Sequence, residues 1–270
     1  MSPPLSMIHP FNSILLFVFL FASFSLNACA TDRAAALNAV ADPSGGQRVF
    51  AHEYNRMRYW IFFPKNYGLD GEKPPLIMFL HGASQRGASM ASLKQYVTQH
   101  FLTPLRQVDD LQEPPFILVA PQCPKKQYWN PDRLHGVLQD VLSYAAADRK
   151  RLYLTGFSMG GFGTWNFAAA YPKLFAAIVP VSGGGKSTTV KNLVNVPVWA
   201  FHGKKDRIVS SSRCTAMVKS LERAGGDVKM TLFPQKGHLV CQDAYGKPEL
   251  WEWLFSHENH IGMMENAAAE

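Results

Sequence analysis

The sequence predicts an α/β domain built around parallel strands, and three observations carry that prediction. From Pro75 onward short apolar runs alternate with helical patterns, the grammar of strands joined by crossover helices. The runs are continuously apolar, which suits a sheet covered on both faces. And of 270 residues 47% are hydrophobic and 17% charged, a balance that fills one sizeable core and argues against disorder.

Element by element, a polar link at Asp42–Gly46 leads into two strand-like runs, Val49–Tyr54 and Arg58–Phe63. The second is rich in aromatic and β-branched residues, and the two read as an antiparallel opening. The apolar runs that follow are Leu76–Leu80, Phe116–Ala120, Arg151–Thr155, Phe175–Val181, Val198–Phe201 and Val228–Phe233. Between them, Pro131 starts a helix whose apolar positions Leu134, Val137, Leu138, Val141 and Leu142 keep helical spacing. Gly161–Tyr171 reads as a second helix. Ser212 is expected to cap a third, with Cys214, Met217, Val218 and Leu221 inward and Gly225 as its stop, and Pro248 opens a last one carrying Leu250, Trp251 and Leu254. No internal repeat is visible, and no insertion is long enough for a large lid, so the pocket is expected to be open.

The first thirty residues stand apart. Ile14–Ala22 is an unbroken apolar run ending near Asn27-Ala28-Cys29-Ala30, the outline of an export signal over 1–30, and shorter than the ~20 residues that span a bilayer comfortably. Two processing chemistries fit. Leu26-Asn27-Ala28-Cys29 has the form of a lipobox, giving a signal of 1–28 and a lipidated, membrane-associated Cys29, while Ala28-Cys29-Ala30 fits ordinary cleavage before Thr31. No Lys or Arg precedes Arg33, a departure from the basic n-region of such signals. Either route exports the chain, to a periplasmic or membrane-anchored location or to the medium. Residues 31–47 then form a linker, 48–257 the folded domain and 258–270 a polar tail.

The formal charge of +7 does not imply nucleic acid, because basic residues are spread along the chain and meet acids in segments such as Lys204–Arg207. Export favours disulfides, yet apart from Cys29 three cysteines remain, so at most one internal bridge forms. Cys214 fits a helical core position. Cys123 and Cys241 lie in loops that could meet near the site.

Gly156-Phe157-Ser158-Met159-Gly160 carries the chemistry. It is a G-x-S-x-G between a strand and a helix, where a sharp turn lifts a serine out of the sheet and glycines let strand and helix approach. A hydroxyl is a poor nucleophile at neutral pH and needs a base oriented by a third group. Asp206 lies in the loop after strand Val198–Phe201 and His238 in the loop after Val228–Phe233, completing the order serine, acid, histidine. Asp243 is the reserve acid. The tetrahedral intermediate needs two backbone donors, assigned to the N–H groups of Met159 and Ala83. His81, at the preceding strand end, is expected to buttress the second of these loops.

Four motif groups extend the picture: Leu80-His81-Gly82-Ala83 with Arg86-Gly87; Pro121-Gln122-Cys123-Pro124 followed by Trp129; Gly156–Gly161 with Gly163-Thr164-Trp165; and His202-Gly203 with Asp206. Together they resemble the α/β-hydrolase esterases described as predicted peptidases or phospholipase/carboxylesterase-like proteins, relatives of polyhydroxybutyrate-depolymerase-like and feruloyl-esterase-like enzymes. The likeness runs from about Val49 to Phe255. It implies a three-layer sandwich with a mostly parallel eight-stranded sheet, the same triad, and neither cofactor nor metal. Dienelactone hydrolases share the fold but use cysteine, which Ser158 does not supply. Ser210 stands where proline commonly follows the acid-loop valine.

Two motifs are set aside. Gly185-Lys186-Ser187-Thr188 lacks the first glycine of a phosphate-binding loop, Pro180 standing there, and His257-Glu258-Asn259-His260 lacks a third ligand and the H-E-x-x-H order. Of the aromatics near the expected mouth, Phe162 and Trp165 read as packing on the helix behind the nucleophile, and Trp129 as the residue that touches substrate. The function expected is hydrolysis of a small or polymer-linked ester through an acyl-enzyme. The alternatives are a serine peptidase acting on small peptides and a surface lipoprotein that binds an acyl or glycan ligand without turnover.

Overall fold

The computed structural model describes residues 49–54, 56–68 and 71–259. The export signal, Cys29, the linker and His260 lie outside these residues. All eight predicted strands form: β1 Val49–Tyr54, β2 Met57–Phe62, β3 Leu76–Leu80, β4 Ile117–Pro121, β5 Leu152–Phe157, β6 Ala177–Val181, β7 Val198–Gly203 and β8 Val228–Phe233. They make one sheet in the order β1-β2-β4-β3-β5-β6-β7-β8. β2 runs antiparallel to both β1 and β4, and every later pair is parallel. The carboxyl ends of β3 to β8 therefore share one edge, and β5, near the middle, carries its last residue up to the serine.

Side chains alternate across the sheet with the period of two that a strand imposes. Leu76, Met78 and Leu80 of β3, with Leu152 and Leu154 of β5, join one apolar cluster, while Ile77, Phe79, Tyr153 and Phe157 join the other. The first cluster lies under helices α2 (Pro131–Tyr144), α3 (Met159–Ala170) and α4 (Ser211–Arg223). The second is covered by α1 (Met90–Val97), α5 (Cys241–Tyr245) and α6 (Pro248–Phe255). This is the expected three-layer sandwich, with no lid domain over the carboxyl edge among the described residues.

Helix boundaries follow their caps. Pro131 does open α2, with Asn130 accepting the Arg133 N–H at 3.0 Å. The cap of α4 is Ser210, not Ser212: the Ser210 hydroxyl accepts the Ser212 N–H at 3.4 Å and the helix begins one residue earlier than Ser212. The serine at position 210 thus supplies a hydroxyl cap that proline could not. The nucleophile helix starts at Met159, two residues before the expected Gly161. α1 was not legible in the sequence. It buries only Leu93, Tyr96 and Val97, too few for a clear stripe, and continues through a π-helical turn, Thr98–Leu102, into Thr103–Leu105.

At the other edge, Asn259 donates its backbone N–H to Lys150 O (2.8 Å) and its side-chain amide to Lys173 O (2.7 Å). The docked chain therefore runs into positions 258 and 259, which were expected to begin the polar tail. No helix among the described residues is long and apolar enough to cross a membrane.

Candidate active site

Ser158 sits at the junction of β5 and α3 with φ 57° and ψ −115°, a conformation that costs an L-residue of order 1–3 kcal/mol. Hydrogen bonds on both sides hold it there: its N–H donates to Val181 O (2.9 Å) and its carbonyl accepts the Phe162 N–H (3.1 Å). The turn also needs glycine for space. A Cβ on Gly160 would stand 1.8 Å from Leu80 O, and one on Gly156 2.5 Å from Gly160 O. α3 can approach β3 and β5 this closely only without those side chains.

The three residues singled out by chain order meet. His238 Nε2 lies 2.8 Å from Ser158 Oγ, and His238 Nδ1 lies 2.7 Å from Asp206 Oδ2. Asp206 Oδ1 accepts the N–H groups of Ile208 (2.8 Å) and Val209 (2.9 Å). Burial alone would raise this carboxyl, but the hydrogen bond from His238 and those two amides outweigh it and hold Asp206 below the ordinary aspartate range. The reserve acid is elsewhere: Asp243 pairs with Lys236 Nζ at 2.7 Å.

Two further groups brace the pair: His202, known from the sequence only as part of a motif with Asp206, and Ser182, which sequence reasoning missed. His202, fully buried, places Nε2 3.1 Å from Asp206 Oδ2 and 2.9 Å from Val209 O. Both neighbours are acceptors, so Nε2 carries the proton and donates to them, while the buried Nδ1 has no hydrogen-bond partner among the described residues. Ser182, at the end of β6, is buried with φ 48°. Its hydroxyl donates to His238 O at 2.8 Å, and its N–H to Phe201 O at 2.8 Å.

The loop after β3 folds into a 3₁₀ turn, Ala83–Gln85, behind Gly82. The N–H of a first helical residue has no partner within its own helix, so Ala83, first in this turn, and Met159, first in α3, each bring such a donor to the cavity holding Ser158. His81, fully buried, fixes the loop from below. Its Nδ1 donates to Gly82 O (2.7 Å) and its Nε2 accepts the Cys123 N–H (3.0 Å), which makes it the neutral Nδ1–H form. Burial pushes its pKa down to about 4. From the loop after β4, Gln122 Nε2 donates to Gln85 O (2.7 Å) and Ala88 O (2.8 Å).

The cavity beside Ser158 measures about 380 Å³, within the range of small-molecule sites. Trp129 borders it but is 7% exposed, with its indole N–H given to His81 O (3.2 Å) and its ring edge-on to His81 at 4.7 Å. Its visible contacts hold the loop after β3, whereas the substrate contact expected of it calls for a free face. Tyr128, 75% exposed with Arg86 lying 5.3 Å over its ring, and Phe162 are the aromatics open to the cavity. Phe162 was expected to be packing; only Trp165 is fully buried. A larger cleft of about 510 Å³ between Pro64, Glu113 and Arg151 contains no member of the triad.

Cys123, Cys214 and Cys241 are buried free thiols, so the bridge between Cys123 and Cys241 is not made. Burial pushes the Cys123 thiol up to about 11 and Cys214 to about 12. The Gly185–Thr188 segment leads into a 3₁₀ helix, Ser187–Leu193, not into a phosphate-binding α-helix. His257 is tied by Nδ1 to Trp253 O at 2.6 Å.

A parallel sheet with its strained serine at the end of β5, facing a histidine and an acid from the two outer strand ends, defines an α/β-hydrolase. Residues 123–252, just under half of the chain, match the Dienelactone hydrolase family, a segment that includes Ser158, Asp206 and His238. A "Putative carboxymethylenebutenolidase" of Escherichia coli K12 is 31% identical over 121 residues, 39% of this chain and 44% of that protein. The chain thus spans less than half the length of this curated relative. A "Probable feruloyl esterase C" of Aspergillus flavus is 25% identical over 205 residues, 74% of this chain and 68% of that protein. Among solved structures, a thermostable esterase superposes with TM-score 0.68 at 28% identity, covering 78% of this chain and 63% of that one.

Proposed function

We propose that the protein is a serine hydrolase of carboxylic esters. The observation that carries this reading is the unbroken relay from Ser158 Oγ through His238 to Asp206, with contacts of 2.8 and 2.7 Å. His238 takes the hydroxyl proton as Ser158 Oγ attacks the ester carbonyl carbon, and the resulting oxyanion is held by the N–H groups of Met159 and Ala83. On collapse the alkoxide leaves with the proton from His238 Nε2, and the acyl group stays on Ser158. Water then gives its proton to His238 and attacks the acyl carbon, releasing the acid and restoring the serine. Asp206, aligned by His202 and the two loop amides, stays ionised and holds the imidazole in the form whose Nε2 is a base. The buried thiols, raised above the neutral range, leave oxygen as the nucleophile.

The test is turnover of short-chain p-nitrophenyl esters. Ser158→Ala should lower kcat by at least about a thousandfold and abolish labelling by a fluorophosphonate probe. A wild-type protein that neither turns over such esters nor takes the label would refute the reading.

A further inference from the structure

The carboxyl edge of the sheet is charged unlike the rest of the molecule. The loops that leave β3 and β4 there carry Arg86, Lys125 and Lys126, the loop leaving β6 carries Lys186, and that leaving β8 carries Lys236, which is paired with Asp243 of α5. The loop leaving β7 adds Lys204, Lys205 and Arg207, and contains the one acid of the whole set, Asp206, which is buried and committed to His238. At the opposite edge, the segments entering β3 to β8 (63–75, 106–116, 145–151, 171–176, 194–197 and 224–227) hold seven basic and seven acidic residues. The net positive charge of the chain is therefore concentrated around the mouth of the site.

The same rim projects apolar side chains into solvent. Of the five large hydrophobic residues exposed among those described, three surround the triad: Tyr128 (75%), Ile208 (75%) and Leu239 (63%). Ile208 donates its N–H to Asp206 and Leu239 follows His238, so both flank the catalytic histidine, and Tyr128 stands across the cavity. Protruding apolar tips within a ring of cations match what an anionic lipid leaflet offers, headgroup charge above an apolar layer. A soluble polyanion would use the cations and leave Ile208 and Leu239 without a partner.

We infer that this face docks on an anionic lipid surface and takes its ester from there. This rests on the proposed ester hydrolysis and assigns the kind of surface that presents the substrate. Docking is separable from turnover, because the cations at positions 125, 126 and 204 lie outside the cavity lining.

The experiment is co-sedimentation of the full-length protein with vesicles of phosphatidylcholine alone and of an equimolar mixture with phosphatidylglycerol. Partition into the mixed vesicles should exceed partition into neutral ones and fall as salt is raised. Lys125→Gln, Lys126→Gln and Lys204→Gln should each reduce it by about fivefold, with turnover of a soluble p-nitrophenyl ester unchanged. Ile208→Ser with Leu239→Ser should weaken vesicle binding while leaving binding to dextran sulfate as it was. Ser158→Ala should bind vesicles like the wild type, so loss of the esterase reading and loss of docking register in different assays. Equal partition into both vesicles, indifference to the lysine substitutions, or vesicle binding that ignores Ile208 and Leu239 would each overturn the inference, the last in favour of a polyanion.

Discussion

Acidification should loosen the loop after β3 well before it titrates the acid of the triad, because His81 is held neutral by burial. Native His81 takes its proton only at about pH 4, whereas in the unfolded chain an imidazole does so near 6.5. Between those values the unfolded state binds more protons, so stability falls as pH falls through this window and levels off below it. Lowering an imidazole from 6.5 to about 4 is worth about 3 kcal/mol, a large share of the 5–15 kcal/mol typical of a domain. The structural event is definite: a proton on Nε2 would face the Cys123 N–H it now accepts at 3.0 Å, two donors in a dry site. Asp206 belongs to a second, lower window. Its carboxyl is held below the ordinary value, so its contribution is present above about pH 4 and lost only as pH falls further.

The assay is the urea midpoint at pH 7 and at pH 4.5 for the wild type and for His81→Gln. Glutamine keeps a donor and an acceptor on the side chain but cannot titrate. The wild type should lose about 2–3 kcal/mol more than the variant over that interval, and the His81 imidazole resonances should shift near pH 4. Titration of His81 near 6.5, or parallel losses in the two proteins, would refute the argument.

The remaining predictions concern how the site is held. Ser182→Ala removes the bond to His238 O but keeps the positive φ, and should cost about 1–2 kcal/mol; Ser182→Gly removes the same bond and relieves the backbone, so its melting temperature should stay near wild type. Both should lower kcat/KM by about tenfold through a loosened His238; activity that tracks melting temperature instead would make Ser182 a structural residue only. A Cβ on Gly163 would lie 2.7 Å from Trp129 Cδ1 and 2.9 Å from Leu80 Cδ1, so Gly163→Ala should cost about 1–3 kcal/mol, displace the indole from His81 O and change tryptophan emission. An unaltered spectrum and midpoint would show that the indole can move without loss.

What the sequence discloses about this site depends on where each constraint comes from. Ser158, Asp206 and His238 are legible because the chemistry demands particular residue types and a parallel sheet demands that they stand at strand ends in a fixed order. Ser182 carries an equally close contact, yet nothing local marks it, and the motif that His202 shares with Asp206 does not disclose that its ring reaches the carboxylate. Ser182 reaches His238, 56 positions away, only because Val181 of β6 registers with Phe201 and Gly203 of β7 with Phe233, and such registers are properties of the assembled sheet. The neighbours Tyr128 and Trp129 show the same limit at its smallest scale. Both are aromatic and both lie in the loop after β4, but one is 75% exposed and the other 7%. The choice is made by His81, whose carbonyl captures the indole N–H, and His81 is in turn fixed by the close approach of β3 to α3 over Gly160.

That chain of dependence separates the acid-sensitive group from the residues that open onto the cavity. The loop after β3 has little helix or sheet of its own: its 3₁₀ turn spans three residues, Ala83–Gln85, none of them buried. Its position is borrowed from His81, Gln122 and Trp129, all buried and all bonded to backbone atoms around it. Such bonds stabilise only while each donor meets an acceptor, and of the three only the imidazole can change from acceptor to donor within a moderate pH range. A loop anchored this way stays exposed at the cavity while the means of undoing it lies beneath, buried. Substitutions that retune acid tolerance should therefore fall at His81 and its contacts, and those that retune substrate choice at Arg86, Tyr128 and Phe162.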